Sequence, residues 1–214
     1  MLRFSGLSKK IPGVVFSCLL ILCLMAGGCA TISSNDSIGS KSVAKSTFVG
    51  KKMAVLPVQS ARQTLSTDSI QSLKIAINRI LPDRLKEKFP GVIIVDPGAS
   101  MEIISAKGHN KLLEEIYSAY ETTGFTPKQA VALLGRDLHS DYLVFSKLRA
   151  EKMDLSWLSK GFGGSLEVLI LDAKSNKIVD GGVAQFKRGG IFGTGGTSNS
   201  EAAQELVRLV MEKL

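Results

Sequence analysis

Few side chains in this sequence stand in the groupings that chemistry needs. His109 and His139 are its two histidines, and neither has a second ligand four residues on, so no convergent metal site is expected. They read as a surface histidine and a helix-end histidine. Glu114 and Glu115 are adjacent, so on a helix they point apart and make a poor acid–base pair. Asp137 and Asp141 flank a turn, where capping and turn formation account for both. No serine stands in a Gly-x-Ser-x-Gly elbow. The run from Gly189 to Gly196 falls between a strand and a helix, the setting of a phosphate loop. It lacks the lysine before Thr or Ser, and it does not spell the dinucleotide fingerprint. It reads as a mobile loop, with Ile191 and Phe192 available to a partner or a membrane. Trp157, Leu158 and Phe162 fall in a Gly-rich stretch that reads as irregular. They are either an exposed anchor for a partner or an edge folded over the core. No catalytic residue, metal or cofactor is expected, and the chain reads as a non-enzyme.

The thiol of Cys29 is the exception. Of the three cysteines, Cys18 and Cys23 lie in an apolar run from Val14 to Met25. That run follows Arg3, Lys9 and Lys10 and precedes the small residues Ala26, Gly27 and Gly28. A basic start, a short apolar stretch and small residues form an export signal. The run is about 12 residues long, whereas a membrane-spanning helix needs about 20. Leu24-Met25-Ala26-Gly27-Gly28-Cys29 resembles the lipobox of bacterial lipoproteins, with Ala26 where that family favours Leu. The resemblance implies cleavage between Gly28 and Cys29 and acylation of the Cys29 thiol. One acyl chain anchors only marginally, at about 0.8 kcal/mol per buried CH₂, and several hold firmly. Removal of residues 1–28 leaves Cys29 as the sole cysteine, so an internal disulfide or a Cys-based zinc site is excluded. By the sorting rule of enteric lipoproteins, Ala30 in place of Asp favours the outer membrane, with the domain facing the periplasm.

Residues 29–48 form a Ser-rich segment that cannot bury enough surface to fold and is expected to act as a flexible tether. Residues 49–214 are of a length for one domain. The signal holds three of the 27 basic residues and none of the 19 acidic ones. The remainder therefore sets 24 basic against 19 acidic, a net charge of about +5, scattered without long runs. That suits solubility, or contact with anionic lipid or cell wall, and export argues against nucleic acid.

The folded part opens on Met53–Val58, a short apolar strand ended by Pro57 and Gln59-Ser60. Ile70, Leu73, Ile77 and Ile80 follow at helical spacing, with Thr67 or Asp68 as cap and Pro82 as a kink or end. Val92–Val95 reads as a second buried strand closed by the turn Asp96-Pro97-Gly98. Two helices are then expected. The first buries Leu112, Leu113, Ile116, Tyr117 and Tyr120. The second is capped by Thr126 with Pro127 and Gln129, and buries Ala130, Leu133, Leu134 and Leu138. Three strands follow, at Asp141–Lys147, Leu166–Leu171 and Ile178–Phe186, the last two joined by a turn with Asn176 left-handed. A final helix starts near Ser198 or Ser200 and buries Ala203, Leu206, Val207, Val210 and Leu214. The order β-α-β-α-α-β-β-β-α implies a right-handed crossover, a mixed sheet and helices packed on it, an α/β single domain.

This order, with Ala54-Val55-Leu56-Pro57 first and Gly135-Arg136-Asp137-Leu138-His139-Ser140-Asp141-Tyr142-Leu143-Val144 in the middle, resembles a group of envelope proteins. They are the curli-secretion lipoprotein CsgG, the N-terminal domain of TolB and the lipoprotein activator of penicillin-binding proteins. Leu171-Asp172-Ala173-Lys174 and Ile178-Val179 look like the group's hairpin. The resemblance implies a non-catalytic, lipid-anchored domain that binds a periplasmic or outer-membrane protein in envelope assembly or maintenance. The alternative it leaves open is a self-assembling ring or accessory of an export system. A curli-type pore needs two extra amphipathic hairpins, with barrel-crossing strands of about 9–11 residues. The stretches left for them, Met153–Gly164 and Gly189–Gly196, do not read as alternating strands, which argues against a pore. A cell-wall hydrolase is the third expectation and lacks an assembled acid, base or nucleophile.

Overall fold

The computed structural model describes residues 44–61, 67–156, 159–191 and 198–214. Cleavage at Gly28/Cys29, the Cys29 lipid and most of the tether lie outside the described residues. A 3₁₀ turn over Lys45–Phe48 leads into β1 (Lys52–Val55) and the two-residue β2 (Gln59–Ser60). Helix α1 (Thr67–Lys88) precedes β3 (Ile93–Val95). Three helices follow, α2 (Pro97–Ala106), α3 (Asn110–Thr123) and α4 (Lys128–Asp137). Strands β4 (Tyr142–Ser156), β5 (Ser159–Asp172) and β6 (Ile178–Ile191) and helix α5 (Asn199–Lys213) complete the order.

The expected mixed α/β sheet is present. Its strand order is β3-β1-β4-β5-β6, and β2 also pairs with β4. The β1–β3 and β1–β4 pairs are parallel, and β4–β5 and β5–β6 are antiparallel. Alternation along each strand divides the core between the two faces. Met53, Val55, Tyr142, Val144, Val168 and Ile170 pack with α1 and α5, which present Leu73, Ile77, Leu81, Leu85, Leu206 and Val210. Ala54, Leu56, Leu143, Phe145, Leu169 and Leu171 pack on the other face with α2, α3 and α4, through Ile104, Leu113, Ile116, Val131 and Leu134. Burying each large aliphatic side chain contributes about 1.5–3 kcal/mol. Phe48 closes the first core against Phe89 at 4.7 Å and Tyr142 at 5.0 Å between ring centroids.

Several local expectations are corrected. Helix α1 runs through Pro82 without ending. Leu81 and Leu85 are fully buried on either side of it, which offsets the hydrogen bond a proline removes. The β3 strand is an edge rather than a buried strand, with Ile93 55% exposed. Asp96-Pro97-Gly98 does not close a turn but starts α2. The Asp96 carboxylate accepts the Ala99 N–H at 2.9 Å, and Pro97 takes the first helical position. Helix α4 begins after Pro127 without a side-chain cap. Thr126 instead exchanges two hydrogen bonds with Asn176, both at 2.7 Å. Asn176 is left-handed at φ 59°, as its turn position required. At α5, Ser198 and Glu201 form a full capping box.

The largest correction concerns the Gly-rich stretches. Residues 159–164 are strand, not irregular chain, and Gly189, Gly190 and Ile191 belong to β6, not to a loop. Each is held in a ladder. Gly161 pairs with Met153 and Gly189, and Phe162 with Lys152 and Arg188. Glycine weakens a strand but does not prevent pairing from both sides. The antiparallel strands therefore continue past Ala150 and Phe186, which are still buried in the core. They belong to the domain's own sheet, with Ala150, Leu166 and Phe186 in its core, so they do not supply the two extra hairpins that a curli-type pore needs.

Candidate functional site

The three antiparallel strands continue beyond the paired residues Ala150, Gly164 and Phe186 as an arm. Its outer end is defined by register. Ser156 pairs with Ser159, and Ser159 with Ile191, so the end of β4, the start of β5 and the end of β6 lie side by side. Of the four residues singled out for partner contact, Phe162 and Ile191 fall within this end of β5 and β6. Trp157 and Phe192 lie outside the described residues, next in sequence to Ser156 and Ile191. Residues separated by more than thirty positions in the chain are thus drawn to one end of the sheet by pairing alone.

Below the arm, on the face of the sheet that carries α3, a polar cluster replaces the core. Lys147, nearly buried, pairs across the strands with Glu167, and its ammonium lies 3.4 Å from Glu121 of α3. The Tyr120 hydroxyl donates to Glu167 at 2.6 Å. Burial holds the Tyr120 phenol well above its ordinary pKa, and the Glu167 carboxylate adds to the shift. Tyr117 donates to the Pro57 carbonyl at 3.1 Å, and burial raises its pKa too. Neither phenol is placed to act as a base at neutral pH. These contacts fix the last turns of α3 to the sheet at the root of the arm. Sequence reading passed over them, although charged residues at 147 and 167 inside apolar strands were the signal.

The candidate chemical residues are dispersed. His109 Nδ1 lies 3.1 Å from Asp137 Oδ2 and ties the start of α3 to the end of α4. His139 is exposed at the end of α4 in a left-handed conformation, φ 49°. Asp141 accepts the Lys52 N–H at 3.1 Å and lies 3.7 Å from the Lys51 ammonium. A depression of about 380 Å³ lies at the opposite end of the sheet from the arm tip, lined by Gly135, Arg136, His139, Ser140, Asp141 and Lys174 among others. Its chemistry is cationic and no nucleophile–base pair forms in it. Among the described residues no group of three or more His, Cys, Asp and Glu could hold a metal ion. No described helix is long and apolar enough to cross a membrane.

No family model matches this sequence, and none of the curated proteins matches it. Solved structures similar to it include the PelC dodecamer from Paraburkholderia phytofirmans, 14% identical over 87% of this chain and 98% of that one, with a TM-score of 0.43. The lipoprotein GNA1162 from Neisseria meningitidis is 14% identical over 74% of this chain and 93% of its own, with a TM-score of 0.43. The C-terminal domain of LpoB from Escherichia coli is 11% identical over 69% and 87%, with a TM-score of 0.41.

Proposed function

We propose that this protein is a lipid-anchored lipoprotein of the outer membrane. On this reading its periplasmic α/β domain binds a protein partner in envelope assembly or maintenance and does no catalysis. The anchor rests on the Leu24–Cys29 sequence. The partner reading rests on one observation, the register that puts the end of β4 and the start of β5 beside the end of β6. Phe162 and Ile191 fall at that end of β5 and β6, and Trp157 and Phe192 follow Ser156 and Ile191 directly in the sequence. Aromatic residues are enriched at the centres of interfaces.

Two measurements test it. Intact mass of membrane-extracted protein should give a chain starting at Cys29 with added acyl mass, and Cys29→Ser should lose both the mass and the membrane association. An unmodified chain that retains residues 1–28 would end the lipoprotein reading. A photo-crosslinking residue at 157 or 192 should give a discrete adduct in cells, while one at exposed Lys111 should not. Equal labelling from all three positions would remove the arm as the binding region.

A second reading, a ring-forming export accessory, is favoured by β6. It is a 14-residue strand at the sheet edge, a ready template for pairing with another chain. Mass measurement in detergent separates the two: a monomer supports the partner reading, and a closed homo-oligomer supports the ring.

A further inference from the structure

The end of the sheet opposite the arm tip has its own chemistry. Tyr142 pairs with Met53 and Asp172, and Leu171 with Ile178. The segments leading into β1 and β4 and the β5–β6 turn therefore share one end. They bring Lys51, Arg136, His139, Lys174 and Lys177 to it. The carboxylates there are already engaged. Asp141 is held by the Lys52 N–H and the Lys51 ammonium. Asp137 has His109 at 3.1 Å and Arg136 Nε at 3.8 Å. Asp172 accepts the Lys174 and Ser175 N–H groups at 3.0 and 2.7 Å. The cations are left outward: the Arg136 side chain is 75% exposed, and Lys174 and Lys177 are exposed. His139 beside them is exposed too and offers a ring nitrogen for hydrogen bonding. Arg136, His139 and Lys174 rim the same depression. Its floor is backbone, because Gly135 lies so close to Ala173 that a Cβ would stand 2.4 Å from the Ala173 Cβ.

The chain enters the domain at this end. Ala44 leads through the 3₁₀ turn to Lys51, beside Asp141. Residues 29–43 separate Ala44 from Cys29. A flexible segment of that length spans about 20 Å on average. An anchor at Cys29 therefore keeps the cationic end close to the bilayer.

We infer that this end of the domain docks on anionic phospholipid headgroups of the membrane that holds the anchor, with Arg136, His139 and Lys174 around the depression as the phosphate-facing groups. The inference rests on the lipoprotein reading for its geometry, but its chemistry is tested without the anchor. Each basic residue near an anionic surface is worth about a fivefold gain in binding.

The test uses the mature chain carrying Cys29→Ser, so that no acyl chain contributes. It is sedimented with vesicles of phosphatidylcholine alone and of phosphatidylcholine mixed with phosphatidylglycerol. Binding is expected only to the mixed vesicles and should fall with added salt. Arg136→Glu with Lys174→Glu should weaken it about twentyfold or more. Lys74→Glu with Arg79→Glu, the same charge change on α1, should change it little. Lys177→Glu alone gives a milder version with an expected fivefold loss, and circular dichroism melting checks that each variant is folded. Equal loss in the two double variants would reduce the effect to net charge and overturn the inference, as would equal binding to both vesicles. Full displacement by inorganic phosphate would assign the depression to the free anion and overturn the headgroup. Failure of acylation at Cys29 would show in the intact mass and leave this assay unchanged.

Discussion

At the residue scale, two positions carry sharp expectations. Gly135 sits where α4 meets the β5–β6 turn, with no room for a methyl group against Ala173. Gly135→Ala should destabilise the domain by about 1–3 kcal/mol through overpacking, read as a lower denaturation midpoint in urea. Asp180 is a buried carboxylate on β6. Its Oδ1 accepts the Gly181 N–H at 2.8 Å, and Oδ2 has no hydrogen-bond partner. Burial raises its pKa, against the opposing pull of the Gly181 N–H and the Lys88 charge. The folded state therefore holds this proton more tightly than the unfolded chain. The stability Asp180 contributes is present at pH below its unfolded value of about 3.9 and is lost as pH rises through the folded value. Asp180→Asn should accordingly melt higher than wild type at pH 7, with the advantage shrinking toward pH 4. A variant less stable at pH 7 would contradict the assignment. Neither position could be found from sequence, because a glycine's neighbour and a carboxylate's burial are set by elements distant in the chain.

At the level of elements, legibility followed the strength of the local pattern. Helix α5 was readable from its apolar stripe, with its start left between Ser198 and Ser200; the capping box of Ser198 and Glu201 fixes it at Ser198. Ser198→Ala should cost about 1 kcal/mol, measured by denaturation. Helix α2 was missed although Asp96-Pro97 is a cap followed by a first-turn proline. The same signal read as a turn because the apolar residues behind it, Met101, Ile103 and Ile104, do not line up as one helical stripe. The β1 and β4 strands were plain because both of their faces are buried, which makes an unbroken apolar run. The arm was not legible. Gly161, Gly163, Gly164, Gly189 and Gly190 are punctuation in a single sequence, and only pairing with a neighbour on each side makes them strand. What adjoins Phe162 and Ile191 was therefore invisible until the register was known. Because the arm extends past the core residues Ala150 and Phe186, its amides at 152–156 and 160–163 should exchange with solvent faster than those at 142–148 in native-state hydrogen exchange. Equal protection along β4 would mean that something covers the arm.

At the scale of the whole molecule, the mixed sheet with helices packed on it was anticipated from the order of elements, because a β-α-β start and a late hairpin admit few other arrangements; the division of the helices between both faces was not. What order could not convey is that the two ends of the sheet differ. The N-terminal segment joins at one end, and the arm finishes at the other. Strand β4 alone is 15 residues, about 50 Å at roughly 3.3 Å per residue. The consequence is one of reach. A flexible leash gains span only as the square root of its length, whereas a strand gains it in proportion. With the cationic end resting on a bilayer, the height at which the arm tip can meet another molecule is set by the strands and hardly by the leash. Two residues added to each strand of the arm would raise that tip by about 7 Å, a change that even a doubled leash would deliver only as a blurred average.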